Sequence, residues 1–231
     1  MKPKYTIICN LSRPWMEYKI KEYIASIPVK EHERQIIYNY DKSPASSAPS
    51  RVPRIVNMMR WYQDKIQGEY VFCLEDDTIP ERSDAMLKLI ETLKTQENAG
   101  YVTGAEANRW SFRNIGAWII QKANSLKGIS EMTSIPYKES GVEEISGGGW
   151  FCFVTTKKIF QQNSFELNPN DEVGPDVWWS AKIIMLFGKK NYINWDVKCN
   201  HYTNKDKFIS ADEGKDILYY NIKKISRWKK L

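Results

Sequence analysis

Short apolar runs and longer amphipathic stretches take turns along the first half of the chain. Tyr5-Thr6-Ile7-Ile8-Cys9, Gln35-Ile36-Ile37-Tyr38-Asn39-Tyr40, Tyr70-Val71-Phe72-Cys73-Leu74 and Tyr101-Val102-Thr103-Gly104 are short and rich in β-formers, and they predict strands. Between them the spacing becomes helical. A helix is predicted from Trp15 to about Ser26, with Pro14 in its first turn. A second runs from Arg51 to Gln67, with Val52, Ile55, Val56, Met59 and Ile66 on one side and Gly68 as its stop. A third, Asp84 to about Gln96, is capped by Ser83 and turns Met86, Leu87, Ile90 and Leu93 inward. Residues 42–50 are small and polar and predict a loop. Strand and helix in alternation predict an α/β fold, with a mostly parallel central sheet, right-handed crossovers and flanking helices.

The second half is less regular. Gly141 to Ser146 leads into Gly147-Gly148-Gly149 and a strand at Trp150–Val154. A short helix is expected over Thr156–Gln161, then a loop at 168–175, then a helix from Pro175 to about Phe187, closed by Gly188. Tyr192–Cys199 predicts a last strand. No repeat and no interdomain linker is visible.

Length and composition narrow the class. A chain of 231 residues is long enough for one large domain or two small ones. No apolar run approaches the roughly 20 residues of a membrane span, and Met1 to Tyr5 does not read as a signal peptide. Cys9, Cys73, Cys152 and Cys199 sit in apolar runs with no Cys-x-x-Cys spacing, and read as buried thiols of a cytoplasmic protein. The net charge of +6 is concentrated at the end, where six cations face one acid from Lys215 onward. The body is therefore near neutral, and the high pI does not mark it as a nucleic-acid binder. The division expected is a catalytic body over 1–205 and a basic amphipathic tail over 206–231. Ile217, Leu218, Ile222, Ile225 and Trp228 recur there at helical spacing among lysines. Such a tail suits reversible attachment to an anionic membrane surface, on the inner face of the membrane.

The chemistry is signalled where Tyr70–Leu74 runs straight into Glu75-Asp76-Asp77. Acids at the C-terminal end of a buried parallel strand lie at the ligand crevice of an open α/β sheet. Three adjacent carboxylates repel one another unless a cation sits among them. Mg²⁺ and Mn²⁺ prefer such oxygen donors together with phosphate oxygens. The stretch therefore reads as a platform for a metal and a diphosphate, against the plainer reading of a solvated acidic turn. Trp150, Trp178 and Trp179 are either sugar-stacking faces or core aromatics, and the triple glycine marks either close approach of a ligand or a bulge. His32, between two glutamates, reads as a surface residue.

Taken in order, these pieces resemble the inverting family-two glycosyltransferases of GT-A fold, a Rossmann-type sandwich, over residues 5 to about 203. The acidic strand matches that family's "DxD" strand, and Ser12-Arg13-Pro14 resembles the loop after its first strand. Asp41-Lys42-Ser43 resembles its nucleobase-binding turn, and Gly147-Gly148-Gly149 its acceptor-side glycines. Gly174-Pro175-Asp176 stands where the family keeps its base. The resemblance implies Asp77 on Mn²⁺ or Mg²⁺ and Asp76 beside it. It implies Glu75 near the ribose, Arg13 and Asp41 on the nucleotide, Asp176 as base and His201 completing the metal site. The implied donor is a nucleoside-diphosphate sugar. The acceptor class stays open: a saccharide, a lipid-linked saccharide or a modified DNA base. The sequence departs from the pattern at Glu75, where Asp is usual, and at Pro175, where Glu is usual, which leaves Asp171 and Glu172 as other bases. No Gln-x-x-Arg-Trp follows Asp176, which argues against a processive synthase. The rival readings are a nucleotidylyltransferase, whose glycine-rich phosphate loop is missing after the first strand, and a non-catalytic module that binds carbohydrate or nucleic acid.

Overall fold

In chain order the elements are β1 (Tyr5–Asn10), α1 (Glu17–Ser26), β2 (Arg34–Asn39), α2 (Ala48–Gln63), β3 (Tyr70–Leu74), β4 (Thr78–Pro80), α3 (Ala85–Thr95) and β5 (Ala99–Glu106). There follow β6 (Ala117–Asn124), β7 (Gly128–Ser134), β8 (Val142–Ile145), β9 (Gly147–Gly148), β10 (Cys152–Thr156), α4 (Lys157–Gln162), α5 (Pro175–Phe187), β11 (Lys190–Tyr202) and β12 (Phe208–Ile209). This computed structural model describes residues 2–40, 48–107, 115–124, 127–169 and 173–212, with the backbone alone at 48–52 and 124.

The central sheet has the order β12-β11-β5-β10-β3-β1-β2, with β4 and β8 also pairing along β11. β2, β1, β3, β5 and β11 share one direction, so the sheet is mostly parallel. β10 is the exception in its middle, antiparallel to both β3 and β5. The reason lies in the connection. The chain leaves β5 and builds a small second sheet, β7-β6-β9, before entering β10. Among the described residues of this connection there is no helical crossover back to the other end, and a parallel strand needs one.

Helices cover both faces. Tyr70, Phe72 and Leu74 pack with Met86, Leu89, Ile90 and Leu93 of α3 and with Ile20, Tyr23 and Ile24 of α1. The alternate residues, Val71 and Cys73, pack with Val56 and Met59 of α2, Phe160 of α4 and Trp179 and Ile183 of α5. All five residues of β3 are buried, as an apolar run covered on both sides requires. Each fully buried Leu, Ile or Met contributes about 1.5–3 kcal/mol. All four cysteines are free and buried, and no helix among the described residues is long and apolar enough to cross a membrane.

Several boundaries move for physical reasons. α2 stops at Gln63, not at Gly68. Gly68 lies against β1 instead, where a Cβ would stand 2.4 Å from the Tyr5 carbonyl carbon. The cap of α3 is Asp84 rather than Ser83, with no side-chain hydrogen bond. Leu89 joins the fully buried face of α3, and Leu87 is only partly covered. The β6–β7 hairpin has no counterpart in the expected elements, because its half-polar strands show no clean alternation. α5 matches its expected bounds, closed by Gly188 at φ 60° in the left-handed region.

Candidate functional site

β3 ends at Leu74, and the Glu75 N–H donates to the Phe151 carbonyl at 2.9 Å. The Thr78 N–H then donates to the Glu75 carbonyl at 3.2 Å, closing a turn that holds the three acids together. β4 carries the chain onto β11, with Thr78 opposite His201. The Tyr202 N–H donates to the Asp77 carbonyl at 2.7 Å, so backbone bonds fix the histidine beside the acids.

The two aspartates are bound differently. Asp76 Oδ2 accepts from Ser12 N at 2.6 Å, Ser12 Oγ at 3.0 Å and Arg13 N at 2.7 Å, which ties down the loop after β1. Its other oxygen contacts the Arg13 guanidinium. Asp77 Oδ2 accepts from Arg13 Nη2 at 2.8 Å and lies 3.3 Å from His201 Nε2. His201 Nδ1 contacts Glu106 Oε1, and Thr78 Oγ1 donates to Glu106 Oε2 at 2.9 Å. Asp76, Asp77, Glu106 and His201 are each at most 7% exposed. A crevice opens beside them, between the ends of β1 and β3 and helix α2, lined by Asn10, Ser12, Arg13, Arg54, Met58 and Glu75.

Four carboxylates thus face two cationic groups. Burial, with Asp77 and Glu106 nearby, pushes Glu75 up to about 8. Burial also raises Asp76, more than Arg13 lowers it. Burial pulls His201 down, but Glu106 and Asp77 outweigh it and hold the ring up at about 10. Asp77, Asp76 and Glu75 hold Arg13 above its ordinary value against the effect of burial. The site is short of positive charge.

That shortage frames the fit of a divalent cation. Two ligands about 2.1 Å from one metal and at right angles are separated by about 3.0 Å, close to the 3.3 Å between Asp77 Oδ2 and His201 Nε2. The far nitrogen of His201 is backed by a carboxylate, the usual outer partner of a metal-bound imidazole. Among the described residues no group of three His, Cys, Asp or Glu side chains encloses a metal position. A cation here would have at most two side-chain ligands, Asp77 and His201, with phosphate oxygens and water for the rest of its shell, and the His201 ring, held protonated by its acids, would have to give up a proton to ligate it. Arg13 now shares Asp77 Oδ2, so it has to shift when such a cation enters.

Asp176 lies in the first turn of α5, where Pro175 opens the helix. Burial raises its pKa, against the lowering by the backbone N–H groups of Val177 and Asp176 itself. Its Oδ2 is 3.5 Å from where a Cβ on Gly149 would stand. Gly149 is two residues before Phe151, whose carbonyl holds Glu75, so Asp176 shares the end of the sheet that carries the acids. The glycines are small because the protein's own parts press on them. A Cβ on Gly147 would meet Val177 at 2.9 Å, and one on Gly148 would meet the Tyr101 hydroxyl at 2.5 Å.

Of the residues expected in the site, Arg13, Glu75, Asp76, Asp77 and His201 come together, with Asp176 across Gly149. Asp41, Asp171 and Glu172 lie outside the described residues, as does the tail beyond Asp212. Trp150, Trp178 and Trp179 are all core residues, at most 3% exposed, so none offers a face to a sugar. Trp179 stacks on Phe165 with ring centroids 5.0 Å apart. His32 is exposed, as expected. Glu106 was not foreseen. Its signal was available, since Tyr101–Glu106 is another apolar strand ending in an acid.

No family model and no curated protein sequence matches the chain. Solved structures do. The mannosyltransferase PcManGT from Pyrobaculum calidifontis, in complex with GDP-Man and Mn²⁺, superimposes with a TM-score of 0.52 at 14% identity, over 85% of this chain and 56% of that one. A197 from STIV superimposes with a TM-score of 0.53 at 12% identity, over 90% and 91% of the two chains. The likeness is one of fold: a mixed α/β domain around a mostly parallel sheet.

Proposed function

We propose that this protein is a non-processive, inverting glycosyltransferase that moves a sugar from a nucleoside-diphosphate sugar to an acceptor hydroxyl with Mn²⁺ or Mg²⁺ bound. The observation that carries the reading is Asp77 beside His201 at the crevice end of β3, in a cluster with more acids than cations. Asp77 and His201 would hold the cation, which when bound offsets the charge of the leaving diphosphate. Asp76 orders the Ser12–Arg13 loop, and Arg13 reaches the diphosphate from it. Asp41 belongs to the nucleotide side by resemblance. Asp176 accepts the proton of the acceptor hydroxyl as its oxygen bonds to the anomeric carbon. The bond from that carbon to the diphosphate breaks, and the nucleoside diphosphate leaves with the electron pair. A raised pKa suits Asp176 to this role better than an ordinary carboxylate would be. The acceptor is a saccharide, a lipid-linked saccharide or a modified DNA base.

The test is a screen of nucleoside-diphosphate sugars with and without Mn²⁺, read by thermal shift and by release of nucleoside diphosphate. One donor is expected to stabilise the protein only with the metal, and Asp77→Ala to abolish that dependence with the fold intact. Silence with every donor would overturn the proposal. A second reading is favoured by Arg13, which already bridges Asp76 and Asp77. In it the guanidinium alone holds the diphosphate, and chelation of metal leaves donor binding unchanged.

A further inference from the structure

We infer that the end of the sheet away from the acids holds a separate binding site, for a ligand that carries clustered phosphate groups. The site stands apart from the acidic cluster and from any metal there. A cavity of about 740 Å³ lies at this end, with Lys157, Lys158 and Lys189 in its lining. Ala99, Ile159 and Phe187 give it an apolar wall, and Glu69 is the one acid that lines it. Its size is that of a small-molecule site.

Strand pairing sets its place. Thr156 ends β10 opposite Tyr70, the first residue of β3, while Cys152 lies opposite Leu74, beside the acids. From Glu69 to Glu75 the chain covers roughly 20 Å at about 3.3 Å per residue. The end of α5 supplies the third lysine. Gly188 turns the chain in the left-handed region, and Lys189 follows it back to the sheet. Gly100 makes room there, since a Cβ on it would stand 2.7 Å from both Lys189 Cβ and Ile183 Cγ2. Asn98, at φ 54°, donates from Nδ2 to the Gly188 carbonyl at 2.6 Å and accepts from Lys189 Nζ at 2.7 Å. The Lys189 ammonium is thus held by a neutral group, which leaves its charge uncompensated. Among the described residues neither Lys157 nor Lys158 has an ion pair, and Glu69 pairs with none of the three.

Three ammonium groups around one cavity repel one another unless an anion sits among them. A single carboxylate would leave most of that charge unmatched, whereas clustered phosphates match it, and lysine binds phosphate as a point charge. The apolar wall suits the organic part of such a molecule. The chain's own basic tail, with six cations against one acid from Lys215 onward, has the wrong sign to fill the cavity. The phosphates can belong to a soluble molecule or to a lipid headgroup.

Lysine acetylation of the full chain, read residue by residue by mass spectrometry, tests the site with two probes. These are tripolyphosphate and phosphatidylcholine vesicles containing phosphatidic acid. Tripolyphosphate is expected to protect Lys157, Lys158 and Lys189, and to leave exposed Lys205 and Lys207, beyond the far end of β11, as reactive as before. Protection by tripolyphosphate shows that soluble phosphates suffice, and protection by the vesicles alone assigns them to a lipid headgroup. Protection by neither probe, or equal protection of Lys205 and Lys207, overturns the inference. Lys157 is half-buried and Lys158 exposed, so Lys157→Gln/Lys158→Gln should fold. In that variant the probe concentration that protects Lys189 is expected to rise at least about 10-fold. An unchanged concentration would mean that the lysines do not share a ligand, and overturns the site.

Discussion

Asp76 and Asp77 are neighbours in sequence with different duties. Asp76 accepts three hydrogen bonds on one oxygen from the loop after β1, so its removal should loosen that loop before it affects any ligand. Asp77 faces His201 and the Arg13 guanidinium instead. Asp176 shows how burial tunes a single side chain. The fold raises its pKa, so its contribution to stability is full below the ordinary carboxyl range and is lost as pH rises through the folded value. At pH 7 its charge is therefore a cost. Asp176→Asn is expected to slow the chemical step at least about 10²-fold, within the range for a general base. The same change should raise the melting temperature at pH 7, with the gain vanishing near pH 3. Single-turnover kinetics and melting curves at the two pH values check this. A variant that is slower but no more stable at pH 7 would remove burial as the source of the shift.

Among the elements, β9 and the start of α5 set the distance between the acids and Asp176. Gly148 has the Tyr101 hydroxyl where its side chain would be, and that hydroxyl donates to the Gly149 carbonyl at 2.6 Å. Tyr101 is fully buried against Phe153 and Trp179, so it has no free direction in which to yield. Gly148→Ala is expected to cost about 1–3 kcal/mol by overpacking. In a chain of this length each kcal/mol corresponds to roughly 2–4 °C of melting temperature. Because the displaced Tyr101 presses on α5, transfer should fall as well, while Mn²⁺ binding at Asp77 stays near wild type. Calorimetry of the variant with and without Mn²⁺ separates the two effects. An unchanged melting temperature would mean that the Tyr101 contact gives way without cost.

For the whole molecule, the sheet does not end at the last acidic-site strand. β12 extends its edge along β11, Ala211 reaches the core, and Asp212 pairs with Lys198 at 2.8 Å. The basic stretch begins just beyond. Each Lys or Arg close to an anionic leaflet contributes about 1 kcal/mol, so the proposed attachment through the six from Lys215 onward would be reversible and salt-sensitive. The expected outcome is that the full chain pellets with anionic vesicles at low salt and that a chain ending at Gly214 does not. Equal pelleting of the two would place membrane contact, if any, on the body.

Local signals were enough for part of this protein. The apolar run into three acids located both a central strand and the acidic cluster at its end, because burial and charge are written in consecutive residues. Pro175 and Gly188 bounded α5 because helix ends obey local rules, and the cysteines were legible as core because their neighbours are apolar. What joins distant residues was not legible. His201 stands beside Asp77 across 124 positions, and Glu106 reaches His201 only because β11 lies between β5 and β4. β10 runs antiparallel because of the layer that precedes it, and α5 goes inward on two sides, with Trp178 against that layer and Trp179 against the central sheet. Strand order decides such contacts. It is set by how the faces of all the elements bury one another, a property of the whole fold that no short stretch of sequence carries.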